Sequence, residues 1–140
     1  MHIDDDSDDR ILFKQALKEL DSDLRYIPVG DVDEALDYLN RLNGSAFFPD
    51  VIFLDINMPR KNGWQCLAEL KKSKTLSGIP VAMYSTTWTE DLLKKAVSLG
   101  AVSLIQKPMY FDDIVKEIKK LISTLKLNSV SPSVHPDSGG

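Results

Sequence analysis

Six side chains in this sequence could do phosphoryl or metal chemistry, and each follows a short apolar run. Asp4 and Asp5 come after Met1-His2-Ile3. Asp55 ends Val51-Ile52-Phe53-Leu54, Ser85 and Thr86 follow Val81 to Tyr84, and Lys107 lies just past Val102 to Ile105. If the runs are strands of one sheet, these groups converge on a single rim. Three carboxylates brought together repel one another unless a cation lies among them. Oxygen-only donors favour a hard ion, and magnesium accepts one or two carboxylates while keeping waters and a phosphate. The Lys107 ammonium and the Ser85 hydroxyl would then stabilise the oxygens of a transferring phosphoryl group. Asp55, closing the most apolar run, is the natural nucleophile. Taken singly, each residue has a plainer reading. The acid run Asp4, Asp5, Asp6, Asp8, Asp9 suits a solvated segment or a helix start, Asp55 suits a turn, Lys107 suits the surface, and Ser85 and Thr86 suit a helix cap. The joint arrangement carries the chemistry.

The elements that must position these residues are legible as alternating strands and helices. Ser7 is read as the cap of a helix with Leu12, Phe13, Ala16, Leu17 and Leu20 at helical spacing. Leu24 to Val29 reads as a strand, and Pro28 within it predicts an edge position. Asp33 opens a second helix that ends before Gly44. The unalternating run at 51–54 predicts a strand buried on both faces. Further helices are read around Trp64, Leu67 and Leu70, from Thr89 to a stop at Gly100, and along Ile114, Val115, Ile118, Leu121, Ile122 and Leu125. Strands alternating with helices predict right-handed crossovers and a parallel sheet covered on both faces. Only Met1, His2 and Ile3 precede the acids, short against a usual strand of about five residues.

The chain has 140 residues, 43% hydrophobic and 27% charged, with a net charge of −4. That balance fits one globular domain and lacks the basic footprint of a nucleic-acid binder. A lone cysteine, Cys66, excludes an internal disulfide and a cysteine-based zinc site. No signal peptide or long apolar span is read, so a cytoplasmic protein without membrane contact is expected. Past Leu127 the composition turns to Ser, Pro, Gly and Asn. The expected division is a folded domain over 1–127 and a disordered tail over 128–140, too short for an effector domain.

At this point the chain resembles the response-regulator receiver family, in the manner of a stand-alone chemotaxis-type regulator. The matching pieces are Ile3-Asp4-Asp5-Asp6, the run from Val51 through Asp55-Ile56-Asn57-Met58-Pro59 with Gly63, Ser85-Thr86, and Lys107-Pro108. They run in order over roughly residues 3 to 126. The resemblance implies a flavodoxin-like, doubly wound α/β fold, a five-stranded parallel sheet of order 2-1-3-4-5 with helices on both faces. It implies Asp55 as phosphoacceptor, and a Mg²⁺ site of Asp5, Asp55 and the Asn57 backbone carbonyl, with Asp4 acting mainly through water. Ser85 would be the switch hydroxyl, Thr86 would add a backbone N–H, and Lys107 would bind phosphate ahead of a Lys-Pro bond that is often cis in the family. A histidine kinase or histidine phosphotransfer protein would be the donor. Output would pass to an unidentified downstream protein, through the surface of the fourth helix, fifth strand and fifth helix, or by phosphorelay. Such a domain is not an enzyme beyond weak self-phosphorylation and autodephosphorylation. One position departs: where the family often carries Tyr or Phe on the fifth strand, this chain has Leu104.

Two rival readings remain open. A degenerate receiver would bind partners without phosphorylation, as the short first strand and Leu104 would allow. A haloacid-dehalogenase-type phosphatase also uses a nucleophilic Asp with magnesium, but needs an acid two residues later, where this chain has Asn57. Trp64 and Cys66 are read as packing residues, Trp88 equally as packing or partner contact, and His2 and His135 as bystanders.

Overall fold

A computed structural model describes residues 1–130, with side chains described through Lys126. The order is β1 (His2–Ile3), α1 (Ser7–Leu20), β2 (Pro28–Val29), α2 (Val32–Arg41), a 3-10 turn (Ser45–Phe47), β3 (Ile52–Asp55), α3 (Gly63–Lys72), β4 (Val81–Ser85), α4 (Glu90–Ser98), β5 (Ser103–Gln106) and α5 (Phe111–Val130). The five strands form one parallel sheet in the order β2-β1-β3-β4-β5, the flavodoxin-like order expected.

Alternate side chains of the central strands go to opposite faces, and both faces are covered, so these strands lack polar alternation. Ile3, Ile52, Leu54, Val81, Met83 and Leu104 face a core shared with Val32, Ala35, Leu39, Cys66, Leu67, Leu70 and Ala96 from α2, α3 and α4. Phe53, Ala82, Tyr84 and Ile105 face the other core, with Phe13, Ala16 and Leu17 of α1 and Ile114, Ile118 and Leu121 of α5. Cys66 is fully buried, and burial pushes its thiol up to about 12, so it is inert packing.

The helix starts come from short polar caps. Asp6, not Ser7, caps α1: its carboxylate accepts from the Asp8 and Asp9 N–H groups at 2.8 and 3.2 Å, while Ser7 is already helical. Asp31, two residues before Asp33, caps α2 through Glu34 N–H. Asn62 and Gln65 form a capping box at α3, and Thr89 caps α4. Gly100 stops α4 with a φ of +104°, a conformation that a Cβ disfavours.

The first two strands are short, as expected for β1 but not for β2, which covers only the end of the predicted Leu24–Val29. Leu24 and Tyr26 instead pack against the α1–α5 side. β1 nevertheless pairs on both sides beyond its two residues. His2 N–H donates to Ile27 and Asp4 N–H to Val29, and the Met1 carbonyl accepts from Phe53 N–H, all at 2.9 Å. α5 continues three residues past Leu127, to Val130, because nothing before Pro132 breaks it. The rest of the expected tail, with His135, lies outside the described residues.

Gly63 begins α3 directly against the end of β3. A Cβ there would lie 2.3 Å from the Asp55 carbonyl oxygen and 2.8 Å from the Ile56 Cα, both backbone atoms that cannot swing aside. Gly63→Ala is therefore expected to cost about 1–3 kcal/mol or more in urea unfolding. Gly78→Ala, where nothing lies within 4 Å of the added carbon, should leave the midpoint unchanged or slightly raised.

Candidate functional site

The carboxyl ends of β1, β3, β4 and β5 meet at one rim. Asp4 and Asp55 continue adjacent strands and are buried, while Asp5 is exposed beside them. One oxygen from each of the three carboxylates lies within 4.8 Å of the other two. The sheet register sets Asp55 against Tyr84 and Ser85 against Gln106. A 2.6 Å bond from Lys107 N–H to the Ser85 carbonyl then brings Lys107 onto the same rim.

Lys107 is the centre of the site. Its ammonium lies 2.8 Å from Asp9, 3.0 Å from Asp4 and 3.4 Å from Asp55, with the side chain only 14% exposed, and 5.5 Å from the centre of the Tyr84 ring. Burial disfavours the ammonium, but its hydrogen bonds to Asp9 and Asp4 more than offset this and raise its proton affinity. Asp4 is held from several sides: Asp6 N–H donates to its carboxylate at 2.9 Å, and Arg10 Nη1 covers its backbone carbonyl at 2.6 Å. Burial alone would raise Asp4; the neighbouring His2 ring, the Asp6 N–H and Lys107 together pull it below the usual carboxylate range. Asp55 goes the other way. Burial and the Asp4 charge push it up to about 6, against the opposing pull of Lys107 and of Asn57 N–H, which donates to its Oδ1 at 3.2 Å.

Ser85 is buried, and its hydroxyl accepts from Thr87 N–H at 3.1 Å; Thr86 is exposed, with its carbonyl accepting from Gln106 Nε2 at 3.3 Å. The structure thus brings Asp4, Asp5, Asp55, Ser85 and Lys107 to one end of the sheet, with Asn57 and Thr86 in the adjoining turns. Lys107–Pro108 is trans, as is every peptide bond among the described residues. Leu104 is buried on the α2–α4 side and points no polar group at the rim.

Sequence reasoning missed two contributors. Asp9 makes the shortest contact to the Lys107 ammonium yet reads only as a first-turn helix acid, and nothing local distinguishes the two roles. His2, expected as a bystander, is fully buried. It stacks on Phe13 at 4.1 Å and shares a 2.8 Å hydrogen bond between Nδ1 and the Tyr26 hydroxyl. Its Nε2 faces Asp4 at 3.5 Å without a hydrogen-bond partner, and burial lowers its basicity. Pairing in a two-residue central strand buried on both sides is the signal that would have placed it inside.

The residues fit a hard divalent cation. All the convergent donors are carboxylate oxygens, and Asp4, Asp5 and Asp55 together bring more negative charge than the single Lys107 ammonium offsets. Raised affinity means that folding favours the protonated Asp55. The associated stability is present below pH 4 and is lost as the pH climbs through about 6. In chelator, Asp55→Asn should therefore melt at a higher temperature than the parent at pH 8, the stability difference being on the order of 2 kcal/mol. At pH 4 the variant and the parent should melt together.

Residues 1–119 match the family model described as the response regulator receiver domain. A probable methanogenesis regulatory protein, FilR2, of Methanothrix harundinacea is 30% identical over 121 residues, 85% of this chain and 77% of that protein. The crystal structure of the phosphorylated cyanobacterial phytochrome response regulator RcpA superposes with a TM-score of 0.75 at 29% identity, covering 97% of this chain and 96% of that one. The Mn²⁺-bound form of response regulator Rcp1, a protein of Synechocystis, gives 0.70 at 27% identity, with 87% and 89% covered. Other curated relatives are longer, and this chain spans 15 to 32% of them. With the sheet order and acidic rim described above, these matches identify the chain as a member of the response regulator receiver family, a phosphoacceptor domain of two-component signalling.

Proposed function

We propose that Asp55 accepts the phosphoryl group, from the phosphohistidine of a histidine kinase or histidine phosphotransfer protein. The observation that carries this reading is the Lys107 ammonium seated among Asp4, Asp9 and Asp55 at the carboxyl rim of the sheet, beside the buried Ser85. An Asp55 carboxylate oxygen attacks phosphorus. A P–O bond forms as the P–N bond breaks, and the imidazole leaves with the electron pair and takes a proton from solvent. Lys107 gives up its longest contact, to Asp55, and turns that donor to a phosphoryl oxygen, while Asp4 and Asp9 keep the ammonium in place. The Ser85 hydroxyl and the Thr86 N–H supply the remaining donors.

Asp5, Asp55 and the Asn57 carbonyl would hold magnesium directly, with Asp4 acting through water. When bound, the ion supplies the positive charge that lets the acids and the phosphoryl oxygens share one site. The proposed setting is cytoplasmic. Among the described residues no helix is long and apolar enough to cross a membrane. Output passes by protein–protein contact or phosphorelay, through the face of α4, β5 and α5, and turnover is limited to slow self-phosphorylation and autodephosphorylation.

Intact mass after acetyl phosphate treatment tests the reading. The parent protein with magnesium should gain one phosphoryl group, and Asp55→Asn, or the parent in chelator, should gain none. Equal labelling of parent and Asp55→Asn would rule out Asp55, and no labelling of either would favour a binding module that works without phosphorylation.

A further inference from the structure

Leu104 stands where the family often places an aromatic residue, and its side chain is buried and apolar. The aromatic ring that meets β5 here comes from another element. Trp88, three residues beyond Ser85, donates its indole Nε1–H to the Leu104 carbonyl at 3.1 Å while remaining 41% exposed. Gln106 Nε2 adds a second tie, to the Thr86 carbonyl. Residues 85–88 are thus fastened across to β5, the strand that Lys107 directly follows.

The same segment is built to be released. The Ser85 hydroxyl is engaged by Thr87 N–H and makes no hydrogen bond to Asp55, so reaching a group on Asp55 requires the segment to shift. The exposed indole can exchange the Leu104 carbonyl for water at small net cost. Trp88 also directly precedes Thr89, the cap of α4, and Ala96 is the one fully buried residue of that helix. A helix so lightly anchored can follow its N-terminus at little expense.

We propose that Trp88 is the positioning residue of the segment that carries Ser85 and Thr86. Its indole bond to the Leu104 carbonyl holds that segment against β5 in the unphosphorylated protein. The bond is given up when the rim is loaded, which moves the start of α4. This rests on the reading of Asp55 as acceptor. It gives the chain a movable aromatic that Leu104 cannot supply.

The test uses the full chain carrying Trp64→Phe, so that Trp88 is the sole tryptophan. Beryllium fluoride with magnesium, its binding followed by fluorine NMR, should increase acrylamide quenching of Trp88 and shift its emission, whereas magnesium alone should not. Trp88→Phe, which keeps a ring but lacks the N–H, removes a restraint on the resting state. Its half-saturation by beryllium fluoride should fall roughly three- to tenfold, an effect that a merely structural ring would not produce. The quenching measurement retains the native tryptophan, so poor folding of Trp88→Phe does not decide the matter. Bound beryllofluoride with unchanged Trp88 quenching overturns the proposal while leaving the acceptor reading intact. Absence of both beryllofluoride binding and acetyl phosphate labelling overturns the two together.

Discussion

Lys107 has three N–H donors and places them among three carboxylates from three segments: Asp4 after β1, Asp9 in the first turn of α1 and Asp55 at the end of β3. Three buried or half-buried negative charges at such distances would otherwise repel strongly. The ammonium makes their convergence tolerable but does not complete it. Asp55, its most distant partner, keeps a raised proton affinity because it is buried beside Asp4, and the excess of carboxylates over the one ammonium suits the rim to a divalent cation. Asp4 is the opposite case, fixed as a carboxylate by His2, the Asp6 N–H and Lys107. One pair of adjacent acids is thereby split into a carboxylate held ionised and one whose burial favours its protonated form.

The sheet makes this arrangement possible. Parallel strands send all their carboxyl ends to one edge, so residues far apart in sequence need only end their strands to meet. The register places Asp55 and Ser85 at the ends of neighbouring strands with Lys107 just past the end of the next, and the two apolar cores hold that register. Gly63 shows how tight the fit is, because α3 starts so close to β3 that only a hydrogen fits above the Asp55 carbonyl.

The opposite side of the rim is looser. α4 is lightly buried, and the segment between β4 and α4 is tied to β5 by side-chain bonds from Trp88 and Gln106. Rigidity is concentrated at the acids and compliance at the helix beside them, the division expected of a module that converts a local change of charge into movement.

The sequence by itself determined the parallel α/β architecture and most of the rim, because both are written in local order. Apolar runs buried on two faces read as central strands, and Asp4, Asp5, Asp55, Ser85 and Lys107 stand at their ends. Local caps were legible to within a residue or two, as Asp6 in place of Ser7 and Asp31 in place of Asp33 illustrate. Tertiary structure alone decided what depends on which side chains meet across long sequence separations. Asp9 reaches Lys107 across 98 positions, His2 is enclosed by Phe13, Tyr26 and Tyr84, and the Trp88 indole finds the Leu104 carbonyl. No local pattern encodes those contacts, since an acid in a first helical turn or a histidine near a chain start serves equally well with or without such a partner. Only the packing of helices onto the sheet chooses between them.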